Sequence, residues 1–440
     1  MRPVAGLLAA LSALLSPCMD ASAGPLGSRA SLGAETTLDV ERAIELRRAL
    51  ERPSEQAAAI LGRQGRELVA PVFAVIRDGR WPEAACTSPA HRLLTKADWR
   101  TLLDALALVR DPHLDQFLEA EVLSKRATTD DRITALRILS EIGTARELPL
   151  ALRISAEPMG RLQRAADHWF EAAISGILGR DAAGFQAVLN AWDEALTPAQ
   201  RPCVLRAIKA TQSPQGLELL IRLLDTRSAP QLELLTDIHR LAEQLAVVPE
   251  SVDLLRIRGL LNDRDPEVRA SAALCLGRLH DAEAMPALIE LLHDLTAQVS
   301  QHSLTSLRLL TGRGFDAEPD RWQTWYRAEL AWWSTAGRET LGELRSMDKP
   351  TAITAILETG QHRLFAGRYV AELCRLLRAP DAEIRRTACA ALALSWCGSA
   401  VPHLVEALDD PEEAVRVAAL GALRSLTGDA ELTAAAAREL

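Results

Sequence analysis

Apolar residues recur along most of this chain with the period of a helix, and the alternation of a half-buried strand is nowhere sustained. The pattern is cleanest over Asp265–Asp294. Val268, Ala272, Leu276 and Leu279 follow one another at intervals of four, four and three, so one helical face is apolar. Asp265 reads as the N-cap and Pro266 as the first helical residue, where a missing amide hydrogen costs nothing. Ala273 and Gly277 are small enough to let another helix come close. The His280-Asp281 pair ends the pattern, and Pro286 opens a second helix with Leu288, Leu291 and Leu292 facing inward. Two short helices with one apolar face each cannot bury those faces alone, so they need stacked neighbours.

The neighbours are in register. A shift of 31 residues carries Val268 to Val299, Leu276 to Leu307 and Leu279 to Leu310. The same offsets from Ile384 reach Ala388 and Leu392, and from Val415 they reach Ala419, Leu423 and Leu426. The residue four after the opening Val or Ile is small each time (Ala272, Ser303, Ala388, Ala419), and the residue eight after it is Leu. A period in the thirties with several agreeing columns predicts a solenoid. The motif [DE]-x-x-[VI]-R followed by small-x-x-x-Leu resembles the second helix of a HEAT repeat. It occurs at Asp265/Val268/Arg269, Asp381/Ile384/Arg385 and Glu412/Val415/Arg416. The resemblance implies that these acids and arginines form a ladder of hydrogen bonds between stacked units. Thr296 and Ser300 replace the acid and the Arg in the unit at Val299, so the ladder should be interrupted there. The resemblance covers Ser251–Leu310 and Leu377–Leu426. It specifies a fold and says little about a task.

The expected architecture is therefore all-α: an α-solenoid of HEAT-like helix pairs with a Trp-rich helical insertion. Residues 24–37 form a Gly/Ser/Ala-rich lead-in, 38–250 degenerate helical repeats, and 251–313 regular repeats. The insertion spans 314–350, and repeats with a C-terminal cap occupy 351–440. In the degenerate part, Gly62, Gly65 and Pro71 break the helical pattern of Gln56–Ile76. Anchored on Asp130, the segment to Ile142 fits the apolar face through Ile133, Leu136 and Leu139. It fails elsewhere, with Arg137 in place of the small residue, Glu141 in place of Leu and Thr134 in place of the ladder Arg.

The insertion carries Trp322, Trp325, Trp332 and Trp333, at spacings that put most of them on one helical face. Such a face fills a gap between repeats, or it offers an aromatic binding surface to a peptide, glycan or cationic group. The run from Leu310-Thr311-Gly312 through Phe315 to Trp322 and Trp325 resembles one that accompanies repeats in some exported bacterial HEAT-like proteins.

Composition narrows the function. Hydrophobic residues make up 48% of the chain but aromatics only 4%, which suits an Ala/Leu helical core. Basic residues comprise 46 Arg and four Lys, and the formal net charge is −9, which gives no general attraction for nucleic acid or anionic lipid. Arg2, the apolar run Val4–Leu15 and Ala21-Ser22-Ala23 have the layout of a signal peptide over residues 1–23. That layout predicts export to the periplasm or cell envelope, with lipidation of Cys18 as an alternative, and no transmembrane segment in the mature chain.

Six cysteines follow Ala23: Cys86, Cys203, Cys275, Cys374, Cys389 and Cys397. They read as small buried hydrophobes, with a Cys374–Cys389 bridge as the exception to test. No metal-ligand spacing, nucleophile elbow or phosphate loop is present. His280, His293 and His302 sit at helix ends, where the helix dipole favours a charged imidazole. These readings point to a non-catalytic scaffold for a protein or peptide partner, with no cofactor, metal or nucleic acid. The alternatives are a ligand- or glycan-binding module using the Trp face, and a HEAT-like enzyme of the nucleic-acid base or pigment-attachment type.

Overall fold

A computed structural model describes residues 47–49, 56, 66–81, 93–109, 113–245, 254–395 and 397–427. The expected signal peptide and lead-in, Cys18, Cys86 and residues 428–440 lie outside the described residues. What is described is all-α, with a single isolated bridge between Arg80 and Leu93 and no strand among the described residues. No helix among them is long and apolar enough to cross a membrane. The chain divides into two compact units at Thr211/Gln212.

In the first unit the helices are α1 (Arg66–Asp78), α2 (Lys96–Leu108), α3 (Thr129–Ile142), α4 (Leu148–Ala156), α5 (Gln163–Arg180), α6 (Ala183–Ala191) and α7 (Arg201–Ala210). A mixed α/π turn at Asp115–Val122 lies between α2 and α3. Helix α1 runs through Pro71, so the break expected there does not occur; the buried Pro71 sits on the apolar side with Val69, Val72 and Phe73. Capping boxes start α2 (Thr95 with Asp98) and α3 (Thr128 with Asp131), each satisfying amides that a helix start leaves open. Helices α3, α5 and α7 stack in sequence, with α4 packed against α3 and α5. Gly176 lets α5 approach α3 closely, because a Cβ there would lie 2.1 Å from the Ser140 carbonyl oxygen. The last carbonyls of α3 are then satisfied from α5: Arg180 donates to the carbonyls of Leu139, Ser140 and Gly143.

The true anchor of α3 is Thr128, two residues before the Asp130 expected from the motif. Counting from Thr128, Ala135 occupies the small column and Leu139 the Leu column, and both are fully buried. Arg137 and Glu141 thereby leave the core columns, which explains their misfit in the other register.

The second unit contains α8 (Pro214–Leu223), α9 (Gln231–Gln244), α10 (Leu255–Leu260), α11 (Pro266–Arg278), α12 (Met285–Glu290), α13 (Ala297–Thr311) and α14 (Pro319–Trp332). It continues with α15 (Arg338–Glu343), α16 (Lys349–Gln361), α17 (Ala366–Leu376), α18 (Ala382–Ala393), α19 (Val401–Glu406) and α20 (Glu413–Thr427). Helices α9, α11 and α13 stack side by side, and so do α16, α18 and α20. The columns read from the sequence are the buried ones: Val268, Ala272 and Leu276; Val299, Ser303 and Leu307; Ile384, Ala388 and Leu392; Val415, Ala419 and Leu423. Helix α16 belongs to the same series although no motif marks it. Asp348 caps it, Ala355 fills the small column, and Thr359 stands where Leu is expected, its buried hydroxyl satisfied by the Ile356 carbonyl.

Small residues set the spacing of α11 and α13. A Cβ on Gly277 would fall 2.5 Å from both Cβ and Oγ of Ser306 and 2.7 Å from its Cα, while the Ser306 hydroxyl donates to the Ala273 carbonyl. Gly277→Val is expected to push these helices apart at a cost of about 1–3 kcal/mol. Gly421→Ala, in an open stretch of α20 with nothing within 4 Å of the new methyl, should instead stabilise by about 0.5–1 kcal/mol. Thermal melts of the two variants checks the opposite signs.

Cys389 is a free thiol, so the Cys374–Cys389 bridge is not formed. Cys203, Cys275, Cys374 and Cys389 are buried, and desolvation pushes the Cys389 thiol up to about 12, which keeps it protonated and inert.

Candidate interaction face

The ladder is present, but its acids are not the expected ones. Asp265 caps its own helix by accepting from the Glu267 amide. Arg269 reaches instead to the Asp294 carboxylate through Nε (2.9 Å) and Nη2 (3.1 Å), while Nη1 donates to the Asp263 carbonyl at 2.8 Å. Arg385 repeats the arrangement with Asp410 (2.7 and 2.9 Å) and the carbonyls of Ala379 and Pro380. Asp381 caps α18 and also takes Lys349 Nζ at 2.9 Å. The Glu412 amide donates to Asp410, and Arg416 donates to the carbonyls of Asp410 and Pro411.

The acid that serves each fork lies 25 residues after its Arg, in extended backbone just past a short helical turn. A planar guanidinium facing a carboxylate with two parallel bonds fixes the register of one helix on the next. Arg132 and Glu157 share the 25-residue separation in the first unit, but they make a single contact at 3.4 Å and not a fork. The interruption foreseen at the Val299 unit falls one step later. Asp294 still receives Arg269, and Ser300, which donates only to the Leu292 carbonyl, has no guanidinium to pass onward. A further fork joins α10 to the loop before α12, where Arg258 holds the buried Asp281 at 2.6 and 2.9 Å.

The four tryptophans divide into two groups and do not share one face. Trp322 is fully buried, edge-on to Phe315 (5.0 Å) and Trp325 (6.2 Å), with its indole N–H given to the Asp316 carbonyl. Trp332 stacks on His362 at 3.5 Å between ring centres and donates to Glu358, while His362 Nδ1 lies 2.9 Å from the buried Glu329. Trp333 stacks on Phe365 at 5.0 Å with the Arg368 guanidinium over its ring at 4.5 Å. The division arises because α14 gives way to a π-helical turn, Trp333–Gly337, where Gly337 leaves room for both indoles. Most of the aromatic surface is spent on internal packing.

The histidines do not gather. His302 lies 3.3 Å from the Ala270 carbonyl, and His280 takes a left-handed backbone with φ 54°. Burial first, then the charges of Arg278 and Arg363, hold the His280 imidazole down to about 4, so it is neutral near pH 7. Its place at a helix end therefore does not reflect a charged group answering the dipole. Among the described residues, no cluster of His, Cys, Asp or Glu is placed to hold a metal.

What the stack leaves open is a groove across α16, α18 and α20. Leu357, Ala390, Val417 and Ala418 line it, with Arg386 and Glu413 alongside. Leu357 and Val417 are 56% and 58% exposed, unusual for residues of their type on helices that otherwise bury Ile, Val and Leu. Sequence columns could not flag this face, because it lies opposite the core that the columns define.

A family model for HEAT repeats matches residues 240–308 and 370–439. Among curated proteins, the bifunctional glutamine synthetase adenylyltransferase/adenylyl-removing enzyme of Xanthomonas oryzae pv. oryzae is 30% identical over 254 residues. That match takes in 56% of this chain, which spans about a quarter (25%) of the enzyme's length. Solved structures that resemble the chain include an engineered protein (18% identity, 88% of this chain and 98% of that one, TM-score 0.28). Kap121p (11% identity, 91% and 50%, TM-score 0.27) and human deoxyhypusine hydroxylase (17% identity, 61% and 100%, TM-score 0.23) also resemble it. These superpositions are too loose to bear on function. The buried columns, the Arg forks between successive helices and the family model on both motif-bearing stretches agree: residues 240–308 and 370–439 are HEAT repeats within an all-α chain.

Proposed function

We propose that the protein is a non-catalytic scaffold that presents the groove over α16, α18 and α20 to a protein partner in the bacterial cell envelope. HEAT repeats commonly bind proteins, and stacked repeats make extended surfaces suited to it. The observation that carries the reading is the pair of exposed apolar residues, Leu357 on α16 and Val417 on α20, on the two helices that flank α18, beside Arg386 and Glu413. An apolar strip with charged groups at its margin suits a partner segment that has one apolar face. The envelope location rests on the signal-peptide layout of residues 1–23. A glycan-binding role for the Trp residues has less support, since Trp322 is enclosed and one face of Trp332 is covered by His362.

The test is in-cell photocrosslinking of a C-terminally tagged chain, with the photoreactive residue at Val417 or, as a control, at Leu108, which is also exposed but lies in the first unit. One dominant envelope protein captured from position 417 and not from 108 is the expected result. Equal capture from both positions, or recovery of the tagged chain from the cytoplasm, contradicts the reading.

A further inference from the structure

Arg137 lies on α3 between two indoles, 3.9 Å from the ring centre of Trp99 on α2 and 5.3 Å from that of Trp169 on α5. Both distances are within the range of cation–π attraction. Contact through the π faces covers the flat sides of the guanidinium and leaves its in-plane N–H donors uncovered. Among the described residues nothing accepts them. Arg180 of this unit spends its donors on three carbonyls, and Arg206 on Glu171, whereas the Arg137 guanidinium makes no hydrogen bond. None of its nitrogens is sealed from solvent without a partner.

The acids beside these residues in sequence are committed elsewhere. Asp98 closes the capping box of α2, Asp131 that of α3, and Glu171 holds Arg206. Glu141, one turn along α3, acts on Arg137 through its charge without bonding to it, and burial lowers the basicity of the guanidinium. A half-buried cation held over two indoles with open N–H donors is arranged to receive a planar acceptor.

We propose that Arg137, held between Trp99 and Trp169, is a carboxylate-binding site. Two parallel N–H donors match the two oxygens of a carboxylate, and the indoles hold the guanidinium ready before the ligand arrives. The negative charge of Glu141 makes a carboxylate group, which brings one charge to the fork, a better guest than a doubly charged phosphate group. Acidic side chains of a peptide and free small dicarboxylates share this chemistry.

The experiment is fluorescence anisotropy of a labelled hexaglutamate peptide titrated with the full chain, with hexaglutamine as the neutral control. Saturable binding of hexaglutamate alone is expected; the net charge of −9 gives no general attraction for it. Arg137→Lys keeps the charge but loses the fork, and should weaken binding by about tenfold, with Arg137→Met weakening it further. Glu141→Gln should tighten binding, a result that does not depend on how well the Arg137 variants fold. Displacement by glutarate at matched carboxylate concentration assigns the site to free dicarboxylates, and failure to displace assigns it to side chains on a peptide. No binding by the wild type, equal binding of hexaglutamine, or unchanged affinity in both Arg137 variants overturns the proposal.

Discussion

Replacing Trp322 by alanine is expected to destabilise the second unit by about 3–5 kcal/mol, the usual cost of emptying a fully enclosed aromatic site. The ring is completely buried, with Phe315 and Trp325 set edge-on against it, and its N–H is bonded to the Asp316 carbonyl. Truncation removes the packing and one of two donors to that carbonyl, which keeps the Glu318 amide. Helix α14 packs on α12, so the loss is felt by the repeat stack and not by the Trp-rich segment alone. Trp325→Ala, whose ring is half-exposed, loses one edge contact at 6.2 Å and the Arg313 cation at 5.8 Å, and should cost about 1 kcal/mol. Thermal melts followed by far-ultraviolet circular dichroism give the comparison. Equal midpoints for wild type and Trp322→Ala would show that the indole is not a core residue.

The fold was legible because burial is periodic and local. Val268, Ala272 and Leu276 recur in register at Val299, Ile384 and Val415, and each of those columns is buried. What escaped the sequence has physical causes. Thr128 and Asp265 perform the same capping, since either side chain can accept from a backbone amide, so a letter match for an acid placed the start of α3 two residues late. Helix α16 was hidden by Thr359 in a Leu column, a substitution the helix tolerates because the hydroxyl bonds back to its own turn.

The ladder acids were missed for a different reason. Asp294 and Asp410 lie outside the motif helix, in the approach to the next one, and only the fold brings them to Arg269 and Arg385. Their constant separation of 25 residues from the Arg was the available signal, and Arg132 with Glu157 carries it into the first unit. The groove and the clamped Arg137 could not be read at all. Each depends on which helices lie side by side, and on which donors remain open once Asp98, Asp131 and Glu171 have been engaged.

Asp410→Ala should destabilise the second unit by about 3–5 kcal/mol, because it leaves the Arg385 guanidinium in a poorly solvated place without its carboxylate. The two side chains are only 11% and 7% exposed for Arg385 and Asp410, so water cannot easily replace the lost partner. Arg385→Met alone strands Asp410 in the same way. The double variant should cost less than the sum of the singles, by about 0.5–3 kcal/mol, since removing both partners removes the unpaired charge as well. In the first unit Glu157→Ala should cost less than Asp410→Ala, because that carboxylate is 44% exposed and meets Arg132 at a single 3.4 Å contact instead of a two-point fork.

Acid supplies an independent reading of the same bond. The Arg385 hydrogen bonds hold the Asp410 carboxyl below the ordinary aspartate value. A folded value lower than the unfolded one means that the bond's contribution is complete above the unfolded value, about 3.9, and is lost as pH falls from there through the folded value. The stability gap between wild type and Asp410→Ala should therefore be constant near neutrality and narrow below about pH 4. Urea midpoints taken across that range measure it, and a gap that stays constant down to the acid limit would mean that the carboxylate's charge is not what holds these two repeats together.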